Sequence, residues 1–168
     1  MILPDDIQRY TVEIPLTGDW VCFRDPIYPI ASVPPAHLGH QNRFSGPGEY
    51  AYYFASGVET AQAEVPDWRS REAFTVKAGT INAFNLAQWC ADHHRQEEFL
   101  RSKQQGGYDL CQNVARELTG QYGMTGILAL SAGQNALGQN GYCLALYTPS
   151  GINPSVFISD PSLTGQSG

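Results

Sequence analysis

Apolar residues fall along the chain in short alternating or continuous runs, each closed by glycine or proline, so the pattern predicts many short elements joined by turns. DWVCFR (Asp19–Arg24) predicts a strand. Pro26, Pro29, Pro34 and Pro35 then predict an extended, irregular loop that carries His37 and His40 and ends at Arg43. SGPG (Ser45–Gly48) predicts a turn, and EYAYYFA a strand on its aromatic content. Ser56 is placed to cap a helix over VETAQAEV (Val58–Val65), which Pro66 terminates. On that helix Val58, Ala61 and Val65 share a stripe, and Glu64 falls about 60° from Ala61, at the edge of the buried face.

Further along, EAFTVKAGTINAFNL predicts one or two strands broken at Gly79, followed by a polar helical stretch through AQWCADHHRQEEFLRSK. YDLCQNVARELTGQY predicts a helix with Leu110, Val114 and Leu118 on one face and Gly120 just past its last apolar position. The apolar run GILAL (Gly126–Leu130) predicts a buried strand that delivers Ser131 to its end. AGQNALGQNG then forms an oversized connection back into a strand over YCLALY. A Pro/Ser/Gly-rich tail follows Tyr147, with one further strand at SVFIS.

The 168 residues suit one compact domain, 1–168, that buries roughly 70% of its unfolded surface. Apolar content of 42% with 15% charged residues is that of a globular chain. Ten basic residues stand against sixteen acidic ones, and the basic residues form no stripe, so nucleic acid is not expected as a partner. The start, MILPDDIQRY, lacks the basic and apolar regions of a signal peptide, and no run approaches the ~20 apolar residues of a membrane span. A soluble protein acting in the cytosol, without a membrane partner, is expected. Cys22, Cys90, Cys111 and Cys143 are scattered without a CxxC and are expected to be buried, reduced thiols.

Against the acidic background, Arg24 and Arg43 stand out beside aromatics and glycines, because arginine recognises phosphate or carboxylate bidentately. Arg24, Arg43, Tyr53, Glu64 and Ser131 each fall at the end of an element or on a partly buried face. Taken singly, each is an ordinary surface ion-pairing residue or core aromatic. Their order and spacing are more distinctive. Phe23-Arg24, Arg43-Phe44 before Gly46 and Gly48, the block YFASGVETAQAEV, and GILALS with its Gly/Asn loop resemble the RES domain family over roughly residues 20–147, leaving 148–168 as a tail.

That resemblance implies an α+β fold similar to ADP-ribosyltransferases, with short, mostly antiparallel strands and flanking helices around a cleft. It also implies an NAD+-consuming toxin neutralised by a cognate antitoxin or immunity protein. Glu64 would stabilise the oxocarbenium-like sugar formed as the nicotinamide–ribose bond breaks. Arg24 and Arg43 would grip the diphosphate without a metal, Tyr53 would stack on nicotinamide, and Ser131 would offer a hydroxyl to the ribose, phosphate or carboxamide. Glu64, Arg43 and Ser131 are thus the expected catalytic residues, with Arg24, Arg43, Tyr53 and Ser131 binding NAD+. The acceptor, whether water, phosphate or a protein side chain, stays open.

Two other readings remain at this point: a nucleotide-binding module without turnover, and a sugar hydrolase using Glu49 with Glu64, or Glu64 with Asp67. Cys90, Asp92, His93 and His94 have metal-binding side chains but are expected to form a solvated helical face. No GxGxxG follows a strand, so a Rossmann mode of binding NAD is not supported.

Overall fold

A computed structural model describes residues 1–24, 42–46, 49, 51–138, 141–147 and 157–164. The proline loop with His37 and His40, part of the turn ending at Gly48, and most of the tail lie outside them. The chain opens on α1 (Pro4–Tyr10), with Pro4 in the first turn and Asp5 and Asp6 at its positive end. β1 (Thr11–Arg24) runs on directly, far longer than the predicted Asp19–Arg24 segment. Pro15 is accommodated because β1 pairs there only with β3 (Glu72–Asn85); it meets β2 (Ala51–Ala55) at a single position, Val21 opposite Ala55.

β3 is one continuous strand of 14 residues, so Gly79 does not break it. With φ of +77°, Gly79 instead sits at a register irregularity opposite Leu16, a backbone conformation glycine adopts without a Cβ clash. β4 (Gly126–Leu130) and β5 (Tyr142–Tyr147) occupy their expected positions. The strands run in the order β1-β2-β5-β4-β3, and β3 pairs back onto β1, which closes five described strands into a barrel-like sheet. A short β6 (Phe157–Ser159) adds to β3. Only the β3–β4 pair is parallel among these. The α+β expectation with mostly antiparallel strands therefore holds, whereas "short" does not describe β1 and β3.

Side chains alternate across each strand, and this sorts the core. Ile14, Leu16, Tyr52, Phe54, Val76, Leu144 and Leu146 fill one side of the sheet. Phe84, Ile127 and Ala145 face the other, under α3 (Leu86–Asp92) and α5 (Gly107–Arg116). α2 (Val58–Glu64) covers Val21, Phe23 and Ala55 through Ala61, with Val58 and Val65 packed alongside, the stripe expected from spacing. Its N-cap is Gly57; the Ser56 hydroxyl accepts from the Tyr142 amide instead.

The polar helical stretch is two pieces, α3 and α4 (Gln96–Phe99), separated where His94 takes a positive φ of 54°. On α5 the buried face is Cys111, Gln112, Val114 and Ala115, while Leu110 is only partly buried. Gly120 does not end that helix, which continues through a wider π-helical turn, Glu117–Gln121. The connection expected as a loop after Ser131 contains a helix, α6 (Ala132–Ala136). Among the described residues no helix is long and apolar enough to cross a membrane. All four cysteines are free; Cys22, Cys90 and Cys111 are buried, and Cys143 is half-buried.

Candidate functional site

Because β1 and β2 share only the Val21–Ala55 pair, the sheet is loosely joined at this seam, and a cleft of about 800 Å³ lies along it. Arg24, Arg43, Tyr53 and Glu64 all line it. Glu64 closes α2, and one oxygen, Oε1, accepts from the Ser131 hydroxyl and from the Gly133 amide at 3.1 Å. Ser131 is also the N-cap of α6, its Oγ accepting from the Gln134 amide at 3.1 Å. At 1% exposure, with its hydroxyl committed to Glu64 and Gln134, Ser131 stands behind the carboxylate rather than on the cleft wall.

This grip needs α6 to approach α2 very closely. A Cβ on Gly133 would lie 2.5 Å from the Ala63 carbonyl oxygen, and one on Gly141 would lie 2.5 Å from the Thr60 hydroxyl. Glycine at 133 lets the two short helices pack backbone to backbone, and glycine at 141 lets the chain entering β5 lie against the Thr60 side chain.

Arg43 is held by a different set of contacts. Its turn, bridged between Asn42 and Ser45, is fixed from α5 by Gln112, whose side-chain amide donates to the Asn42 carbonyl at 3.0 Å, and from β5 by the Tyr147 hydroxyl on the Phe44 carbonyl at 2.9 Å. The guanidinium lies 4.7 Å from the centre of the Phe44 ring and donates to the Leu130 carbonyl at 2.7 Å. Arg43 is thereby tied to the residue next to Ser131, so both halves of the site meet at the end of β4. Its Nε is buried without a hydrogen-bond partner among the described residues.

The Tyr53 hydroxyl shares a 2.7 Å bond with Ser45, and burial holds it well above the usual tyrosine range. Arg24 lies over the ring of Tyr52, 5.8 Å from its centre. Tyr52 and Tyr53 point to opposite faces of β2, so the two arginines expected to share one task approach the cleft from different sides. Cys143, opposite Ala55 and Ala129, also lines the cleft; burial, with the Glu64 charge adding to it, pushes its thiol up to about 12.

The paired-carboxylate reading finds little support. Glu49 is bonded to Arg116 at 2.8–3.1 Å and is not among the cleft residues, and Asp67 is bonded to Arg71 at 3.0 Å. The CADHH residues are dispersed: Cys90 is buried, Asp92 accepts from the Tyr10 hydroxyl at 2.8 Å, and His93 stacks on Trp89 with ring centres 4.5 Å apart. Sequence reasoning missed Arg71, Arg101 and Tyr108 on the cleft wall, and Gln112 and Gly133 behind it. None of these left a trace in the sequence: Gln112 lies opposite the Leu110–Val114–Leu118 stripe, and its burial is decided by the turn that packs on it.

Among solved structures the chain is similar to that of the M. tuberculosis MbcT–MbcA toxin–antitoxin complex, with a TM-score of 0.65 at 14% identity, over 99% of this chain and 98% of that one. At that identity the likeness speaks for the fold. No curated protein sequence matches this one. The model of the RES domain matches residues 16–163, wider than the motifs alone suggest, and the chain therefore belongs to the RES domain family.

Proposed function

We propose that this chain is a toxin that consumes NAD+ by breaking the nicotinamide–ribose bond, acts in the cytosol, and is restrained by a cognate antitoxin. The observation that carries the reading is Glu64 at the wall of the seam cleft, with Ser131 and Gly133 both bonded to Oε1. Both of these bonds fall on Oε1, so in this scheme Oε2 is the oxygen that meets a ribose hydroxyl and the charge developing at C1′.

In the proposed reaction the C1′–N bond breaks, its electron pair returns to the pyridinium nitrogen, and neutral nicotinamide leaves. The acceptor then donates an electron pair to C1′. Glu64 needs no covalent role, since an oriented carboxylate stabilises the positive sugar through space. Arg43, which lines the cleft, is the cation this scheme sets against the diphosphate. Tyr53 offers a neutral aromatic ring to the nicotinamide. Ser131 orients Glu64 in this scheme and does not touch substrate.

RES domain membership and the similar M. tuberculosis structure, that of a toxin–antitoxin complex, support the antitoxin in this reading. Expression of the chain alone in bacteria should lower cellular NAD+ and arrest growth, and co-expression of a partner covering the cleft should restore both. Normal growth and unchanged NAD+ beside abundant soluble protein would contradict the proposal.

A further inference from the structure

The cleft carries more positive charge than the motif accounts for. The chain as a whole has sixteen acidic and ten basic residues, yet the described residues lining the cleft include four arginines and only two carboxylates. One of those carboxylates, Asp67, is already bonded to Arg71. The remaining cation outside the motif is Arg101, which forms no ion pair among the described residues. Glu98, the carboxylate it influences, is bonded at 2.6 Å to Arg95.

The Arg101 backbone is firmly placed, and its side chain is exposed at the cleft. The Gly107 amide donates to the Ser102 carbonyl at 3.1 Å, and a Cβ on Gly107 would lie 2.3 Å from the Arg101 carbonyl oxygen, so the start of α5 and the Arg101–Ser102 corner are in direct backbone contact. The Gln105 side chain accepts from the Ser102 amide at 3.0 Å and closes the same corner. Leu100, its neighbour, lines both this cleft and a small cavity against Arg43, and Tyr108 on α5 lines the same cleft, close enough to Tyr53 to add slightly to the upward shift that burial gives its hydroxyl. The wall from Leu100 to Tyr108 therefore faces the same part of the cleft as Arg43 and Tyr53. Arg24 enters from the Tyr52 side.

We infer that Arg101, held on the wall of the cleft that Arg43 also lines by the corner that Gly107 makes possible, is a further ligand-binding residue that holds a phosphate of the dinucleotide. The inference rests on the NAD+ reading above. It assigns the Arg43–Arg101 side of the cleft to phosphate, and it makes a diphosphate-bearing ligand preferred over an uncharged nucleoside. Arg101 does not touch the bond that breaks, so its loss weakens binding and leaves the chemical step intact.

The test is calorimetric titration of wild-type protein and of Arg101→Ala, Arg101→Lys and His94→Ala with ADP-ribose and with nicotinamide riboside, alongside turnover of NAD+. Arg101→Ala should raise the Kd for ADP-ribose and the KM for NAD+ roughly tenfold with kcat unchanged, the scale of one lost charge-assisted hydrogen bond at a partly exposed site. Arg101→Lys should recover part of this, and His94→Ala, away from the cleft, should change neither Kd nor KM. Binding of nicotinamide riboside should not change. If wild-type protein binds neither ADP-ribose nor NAD+, the NAD+ reading fails; if it binds them and Arg101→Ala binds as tightly, the assignment of Arg101 is overturned while that reading stands. A thermal melt of Arg101→Ala matching wild type separates lost contact from lost fold, and a kcat that falls with KM unchanged also contradicts the inference.

Discussion

Replacing Ser131 with alanine removes two interactions at once, and a double-mutant cycle with Glu64→Ala separates them. The Ser131 Oγ caps α6 by accepting from the Gln134 amide, a contribution of about 1 kcal/mol in typical helices. The same hydroxyl donates to the Glu64 carboxylate, a charge-assisted bond worth about 1.5–3 kcal/mol at a site that is 1% exposed on the serine side. Ser131→Ala in the wild-type background should therefore cost about 2.5–4 kcal/mol, or a fall in Tm of roughly 5–16 °C for a domain of this size. In the Glu64→Ala background only the cap is lost, and the fall should shrink to roughly 2–4 °C. Thermal unfolding followed by circular dichroism gives the four melts required. A Ser131→Ala cost that is the same in both backgrounds would refute the claim that this hydroxyl braces the carboxylate.

Gly133→Ala should destabilise the protein by about 1–3 kcal/mol and abolish most turnover, because the new Cβ meets the Ala63 carbonyl and pushes α6, with the Gly133 amide, away from Glu64; melts and activity like wild type would count against the close helix contact. Alkaline stability should reflect the four thiols, which burial pushes up to about 11 for Cys111 and about 12 for Cys22, Cys90 and Cys143. Above about pH 9 the unfolded chain loses these protons while the folded one keeps them, so stability falls as pH rises, by up to about 1.4 kcal/mol per thiol per pH unit until the folded values are reached. Urea midpoints that stay flat from pH 9 to 11 would contradict that burial.

Local features were legible in the sequence where a single element carries them. β2, α2, β4 and β5 lie where aromatic content, the Val58–Ala61–Val65 stripe and the GILAL and YCLALY runs put them. Glu64, Arg43, Tyr53 and Arg24 do share one cleft. Features that depend on partners were not legible. Gly79 looks like a strand breaker until it is known that it sits at a register shift, and the strand around Pro15 shows only once it is known that, among the described residues, Pro15 pairs on one edge alone. α6 has a poor helical sequence, rich in glycine and asparagine, and forms around the Ser131 cap and its packing on α2. Which hydroxyl Ser131 serves is decided by Glu64, 67 positions away along the chain. Gln112 and Arg101 enter the site only because α5 packs on the Asn42–Ser45 turn and on the Arg101–Ser102 corner.

The central claim is that a carboxylate on α2 drives cleavage of the nicotinamide–ribose bond, and the most direct measurement is nicotinamide release from NAD+ by purified wild-type protein beside Glu64→Gln, at saturating substrate. The substitution keeps shape and an acceptor for Ser131 while removing the charge needed as the oxocarbenium ion develops. Wild-type protein should release nicotinamide, and Glu64→Gln, folded and still binding ADP-ribose, should do so on the order of 10²–10³ more slowly. Equal rates from the two proteins, or no nicotinamide from wild type that binds NAD+, would contradict it.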